Sequence, residues 1–224
     1  MPETVVKHRP NDNRRTVTPQ PDGSQRHTRN PRGEGERLRD ELIAAADRLL
    51  RAGQTHESLS LRAVAREVGI AATSIYLHFP NKLTLLLAVY ERHFAELAHQ
   101  IEQAIGEHAD PAGQLRAATL AYWRFAEDHP DAYYVMFTVP GTNTVANPLP
   151  SESRPGAAII KAVQDVITRC VDAGRTPALD PYCAALCLWT SLHGLITMMA
   201  ARPYVPWPAP EALLDTLLST YLGP

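Results

Sequence analysis

Apolar residues recur along this chain at intervals of three and four, the period of helices, and strand-type alternation is nearly absent. Over residues 36–52, Leu38, Leu42, Ala45 and Leu49 fall on one face and Gly53 supplies a stop. Ser60 is a natural N-cap for a second helix, in which Leu61, Val64, Ala65 and Val68 stand at i, i+3, i+4 and i+7. Gly69 can take the left-handed conformation that ends it. A third helix is predicted over residues 71–78. At about 100° per residue, Ile75 and Phe79 turn inward, while Thr73 and Leu77 face outward between Ser74 and Tyr76. Pro80 closes that helix and Asn81 caps the next.

A long helix is predicted from residue 82 to residue 105, with Leu83, Leu86, Leu87, Tyr90, Phe94, Leu97, Ile101 and Ile105 as its stripe. Asp110-Pro111, Asp180-Pro181 and Pro210-Glu211 open later helices with an acid beside a proline, and Pro130 starts a short one that runs through Phe137. The pattern predicts an all-α chain in two helical domains. Residues 36–81 form a three-helix helix-turn-helix unit. A long strut carries it onto the rest, residues 82–224, and residues 1–35 form an arm.

Composition changes this picture in three places. The 224 residues carry a formal charge of −2, so any affinity for a polyanion has to come from local patches. The arm supplies one: Lys7, Arg9, Arg14, Arg15, Arg26, Arg29 and Arg32 outnumber its acids, and with almost no apolar residues it is expected to be disordered. No run of roughly 18 apolar residues suggests a membrane span, and no apolar leader suggests export. Cys170, Cys183 and Cys187, odd in number and in apolar helical contexts, read as buried small hydrophobes in a reducing cytoplasm. Residues 139–155, polar and rich in proline, form a long loop.

The outward face of the third helix suits double-stranded DNA. Thr73 and Ser74 can hydrogen-bond to base edges or phosphates, and Leu77 can touch thymine methyl groups. Tyr76 and Lys82 can hold phosphates and fix the docking angle. Ser60, Arg62, Ala72 and His78 complete the candidate DNA-contact set. Leu61, Ala65, Gly69, Ile75, Tyr76, Phe79, Asn81, Lys82 and Leu83 together resemble the TetR family of bacterial transcriptional regulators. The resemblance implies that Tyr76 and Lys82, in the run Tyr-x-x-Phe-Pro-x-Lys, grip the DNA backbone. Leu77 stands where that family often has His, and Ala71 and Ala72 stand where it often has a capping Ser or Thr and a polar residue.

Further along, Tyr122, Trp123, Phe125, Tyr133, Met136, Phe137, Trp189 and His193 are candidates to line an apolar cavity with a few polar handles for a small-molecule effector. Trp189, His193 and Gly194, in the run LWTSLHGLITM, resemble the Trp-His-Gly signature of one class of TetR C-terminal domain, with AYWRFAEDHPDAYYVMF as its companion helix. That resemblance implies an effector-binding and dimerising domain. Dimerisation also follows from specificity, because one recognition helix reads only a few base pairs. A two-fold pair would read a palindromic operator with half-sites about 34–36 Å apart. Leu186, Leu213, Leu217, Leu218 and Tyr221 are the candidate interface of the homodimer.

These readings point to a repressor released from its operator by a small apolar or aromatic effector. A regulator without an effector is the alternative, and an all-helical enzyme is a more distant one. No catalytic constellation, phosphate-cradling loop or metal-ligand spacing emerges, and neither cofactor nor metal is expected.

Overall fold

A computed structural model describes residues 34–138, 156–176 and 180–222. Within them the helices are α1 (Glu34–Arg51), α2 (Leu61–Val68), α3 (Lys82–Gly106), α4 (Pro111–Asp128), α5 (Pro130–Thr138), α6 (Ala157–Asp172), α7 (Pro181–Ala201) and α8 (Pro210–Ser219), and the described residues contain no strand. The basic arm, except for its last two residues, and the loop at 139–155 lie outside the described residues.

The helix starts follow local chemistry. Ser60 Oγ accepts from the Ala63 amide at 3.2 Å, and Gly69, at φ 82°, turns its N–H back onto the end of α2. Asn81 and Thr84 form a reciprocal capping box at the head of α3, with Asn81 Oδ1 accepting from the Thr84 amide at 2.9 Å. Asp110 and Asp180 cap α4 and α7 by accepting from the Gly113 and Cys183 amides, each ahead of a proline. Helix α6 has no such signal, since it starts from Gly156 at φ 86° without a side-chain cap.

The helix expected over residues 71–78 is instead a single 3-10 segment, Ser74–Leu77. Thr73 precedes it without a capping bond, and Pro80 follows closely. The bonds from Tyr76 N to Thr73 O and from His78 N to Ile75 O are of the tighter i to i+3 kind. With an uncapped start and so few residues, the segment never recovers the cost of nucleating an α-helix.

Two cores lie along α3. The first joins Leu42, Ile43, Ala46 and Leu50 of α1, Leu61, Val64 and Ala65 of α2, Ile75 and Phe79, and Leu85, Leu86 and Val89 of α3. Val135 of α5 also enters it. The second gathers Tyr90, Leu97 and Ile101 of α3 with α4, α5, α6, α7 and α8. The stripe expected on α3 is corrected accordingly. Leu83 is exposed and Leu87 only half buried, while Leu85, Val89 and His93 are buried, because the helix presents one face to each core.

Helix α7 carries no charged residue. Its length and a mean hydropathy of 1.5 are enough for a membrane span by composition, although only 22% of that stretch is buried. Ser, Thr, Gly and His interrupt an apolar run without lowering the average much, which is why the sequence pattern did not suggest one. Cys170 is buried, as expected. Cys183 and Cys187 are exposed, because they lie on the side of α7 turned away from its own core.

Candidate nucleic-acid interface and ligand cluster

The short 3-10 segment is held from beneath and open above. Ile75 is fully buried and Phe79 nearly so, with the Arg39 guanidinium 5.1 Å from the Phe79 ring centroid. On the outer side Leu77 is 86% exposed and Tyr76 51%. Thr73, Ala72, Arg62 and Ser60 are exposed too, and Ser74 and His78 are half buried. The candidate residues are thus exposed or half buried on the segment, its neighbouring turn and the start of α2.

Two members already have work within the fold. The Ser60 hydroxyl caps α2. Lys82 is half buried, and its Nζ donates to the Glu57 carbonyl at 3.0 Å, tying the start of α3 to the loop before α2. Its ammonium therefore fixes the shape of that loop.

The eight residues expected around a ligand divide into two groups. Trp123, Phe125 and Met136 are buried packing residues, and like Tyr133, Phe137 and His193 they do not line the small cavity, which of the eight only Tyr122 and Trp189 reach, a correction to the expected lining. They lie on the sides of α4 and α5 that face the core. Tyr122, Tyr133, Trp189 and His193 form a polar chain, and the Phe137 ring packs beside it. Trp189 Nε1 donates to Tyr122 Oη at 3.1 Å, Tyr122 and Tyr133 share a hydroxyl hydrogen bond of 3.1 Å, and Tyr133 Oη lies 2.7 Å from His193 Nδ1. The Phe137 ring sits 4.3 Å from His193, centroid to centroid, and 5.8 Å from Phe94 of α3.

This chain is neutral. Burial pushes the Tyr122 hydroxyl up to about 12 despite its bonds to Tyr133 and Trp189. Burial, reinforced by Tyr122, pushes Tyr133 up as well, and burial pulls His193 down, which favours the uncharged imidazole. Indole can only donate. With His193 Nδ1 as the acceptor, every hydroxyl in the chain donates in one direction, from Trp189 towards His193.

A narrow cavity of about 20 Å³ opens beside this chain, large enough for a single water-sized group. Tyr122 and Trp189 line it together with Ile101, Ala118, Ile159, Ile160, Val163 and Leu188. The α6 contribution went unseen in the sequence for want of a cap, although Ile159, Ile160, Val163, Val166 and Ile167 carry a helical spacing that reveals it. Among the described residues no group of three or more His, Cys, Asp or Glu could hold a metal ion.

Of the candidate interface residues, Leu218 is 3% exposed and packs with Leu214 into the subunit's own core, so it is unavailable to a partner. Leu217 and Tyr221 are half buried against that core, and Leu186 and Leu213 are half buried as well. Helix α7, expected in that interface and carrying Leu186, also has open apolar surface at Tyr182, Cys183, Cys187 and Met198.

Known proteins share both halves. The sequence model described as bacterial regulatory proteins of the tetR family matches residues 42–89, and that described as a tetracyclin repressor-like C-terminal domain matches residues 115–221. An HTH-type transcriptional activator, FasR of Mycolicibacterium smegmatis, is 33% identical over 115 residues, 51% of this chain and 51% of that protein. The chain thus matches about half the length of this curated relative.

Solved structures share the fold. A protein of unknown function from Rhodococcus sp. RHA1 has a TM-score of 0.71 at 24% identity, covering 88% of this chain and 98% of that one. The regulator FadR of Bacillus subtilis, in complex with stearoyl-CoA, has a TM-score of 0.63 at 16% identity, covering 80% of this chain and 95% of that one. The two matched family segments together span more than half of the sequence, one on each core, and the chain belongs to the TetR family of bacterial transcriptional regulators.

Proposed function

We propose that this chain is a DNA-binding transcriptional regulator that works as a homodimer on a palindromic operator and is released by a small effector with an apolar body. The observation that carries the reading is the Ser74–Leu77 segment. It anchors itself through a fully buried Ile75 yet leaves Leu77 86% exposed beside Thr73 and Tyr76. An isolated exposed leucine needs no explanation, but one on a short, rigidly seated segment flanked by hydroxyls suits the major groove. Residues 36–81 serve as the reading head and residues 82–224 as the effector and dimer domain, with the first turns of α3 packed into the head.

The effector site is the cavity beside Tyr122 and Trp189. Its walls are apolar and its polar end is the Trp189–Tyr122–Tyr133–His193 chain. At about 20 Å³ it is nearly closed, so an effector has to favour a second, opened arrangement. Opening bears on Phe137 and through it on Phe94 of α3, whose N-terminal turns belong to the head. The stearoyl-CoA carried by the Bacillus subtilis FadR makes a fatty-acyl chain the first effector to try. Pairing through the outer face of α7 would cover its exposed apolar side chains, and a cytoplasmic location follows from this reading.

Repression is the expected sense of control. Activation is a second reading, favoured by the relative FasR, an HTH-type transcriptional activator.

Operator selection from fragmented genomic DNA, followed by a screen for ligands that release the recovered site, tests the proposal. Recovery of a palindromic site and its release by an acyl ligand are expected. Failure to enrich any duplex overturns the DNA-binding reading. Enrichment without release by any ligand leaves a regulator that lacks an effector.

A further inference from the structure

Asp47 of α1 and His93 of α3 meet where α3 leaves one core for the other. His93 is 1% exposed, and its Nε2 lies 2.8 Å from Asp47 Oδ1. Arg51, one turn along α1, holds Asp47 Oδ2 at 3.0 Å and so orients the carboxylate. The other ring nitrogen of His93, Nδ1, is buried without a hydrogen-bond partner among the described residues, so Asp47 is the polar contact that orients the ring.

The core shared by α1 and the first turns of α3 is apolar, made by residues such as Ile43, Leu85 and Val89. Apolar surfaces fix distance but tolerate sliding, whereas a hydrogen bond between a buried imidazole and a half-buried carboxylate fixes register. Burying such groups is costly in desolvation, and setting a register or a switch is the best-attested reason for keeping them. The pair stands one turn beyond Val89, the last α3 residue of the head core, so a small change in its geometry tilts the head against the strut.

We infer that the Asp47–His93 hydrogen bond is a latch that sets the angle between the reading head and α3, making both side chains positioning residues for operator binding. This rests on the DNA-binding reading above. Without the latch the head still folds on its apolar core but samples several angles, so two heads no longer meet two half-sites together.

The test uses the full chain and a duplex recovered by the wild-type protein from a random-sequence library. Asp47→Asn keeps the shape and weakens the bond. The pair Asp47→Leu with His93→Leu removes both polar groups, a change that is often neutral or stabilising for the fold. Both variants are expected to keep wild-type helicity and oligomeric state while losing about tenfold or more in duplex affinity. His93→Gln, whose amide can still donate towards Asp47, is expected to stay within about threefold of wild type.

Wild-type affinity in Asp47→Asn, or in a folded Leu pair, overturns the latch while leaving the DNA-binding reading intact. If the Leu pair fails to fold, the contrast between Asp47→Asn and His93→Gln decides in its place. A wild-type chain that selects no duplex overturns the DNA-binding reading and the latch with it.

Discussion

Val89 and Tyr90 are neighbours on α3 and belong to different cores, Val89 to the head and Tyr90 to the larger domain. A helix turns about 100° per residue, so consecutive side chains can serve two bodies from one rigid rod. That makes α3 the shared wall of both units, and a force applied at Phe94 reaches the head without crossing a flexible joint.

Leu77→Ala removes an exposed side chain that packs on nothing in its own subunit. Stability is expected to stay within about 0.5 kcal/mol of wild type. Affinity for the selected operator is expected to fall several-fold, with the loss concentrated at one base-pair position, as thymine-methyl contact requires. Chemical denaturation and a binding scan over single-base operator variants check this, and a uniform loss across all positions would count against base contact.

Tyr133→Phe deletes the hydroxyl between Tyr122 and His193, leaving the Tyr122 O–H without its acceptor and His193 Nδ1 without its donor, while Tyr122 keeps the Trp189 bond. Each orphaned buried group costs about 1–3 kcal/mol, somewhat less here because His193 is only half buried. A lowered denaturation midpoint and weaker acyl-ligand binding are expected, whereas undiminished ligand affinity would remove the chain from the effector site.

Gly156→Ala places a Cβ 2.9 Å from Phe94 Cε1, at a backbone φ of 86°. The combined strain and overpacking are expected to cost about 1–3 kcal/mol. Phe94→Leu in the same background should return part of that loss, which thermal unfolding of the single and double variants measures. Full independence of the two changes would contradict the contact.

Burial acts to raise the Asp47 carboxyl, but the His93 and Arg51 contacts outweigh it and hold the group below its ordinary value of 3.8. A carboxyl lowered in the folded state adds stability that is complete above the unfolded value and is lost as pH falls through the folded one. Asp47→Asn is therefore expected to flatten the acid limb of the stability profile below about pH 4 while lowering the plateau above it. An unchanged acid limb in urea titrations across that range would show that the pair carries no such linkage.

Much of this was legible in residue chemistry. Ser60, Gly69, Asn81, Asp110 and Asp180 mark boundaries because each satisfies an orphaned backbone group, and those boundaries hold to within a residue or two. The outward set around Thr73 and Leu77 was equally plain, since Ile75 and Phe79 determine what faces away. The 3-10 form of the segment was not, because periodicity does not distinguish one uncapped turn from another. Helix α6 lacked a start signal. The split of α3 between two cores, and the burial of Trp123, Phe125 and Met136 away from the cavity, are tertiary facts that an apolar stripe cannot separate. His93 escaped notice for a similar reason, because its partner lies 46 residues away in sequence.

Helix α7 runs twenty-one residues without a single charge, and the side that carries Tyr182, Cys183, Cys187 and Met198 is open to solvent. If subunits pair through that side, as proposed above, a lone subunit carries it uncovered in water. The chain's thermal midpoint should then climb as its own concentration rises, so the amount of functional regulator in a cell would respond more than proportionally to how much is made.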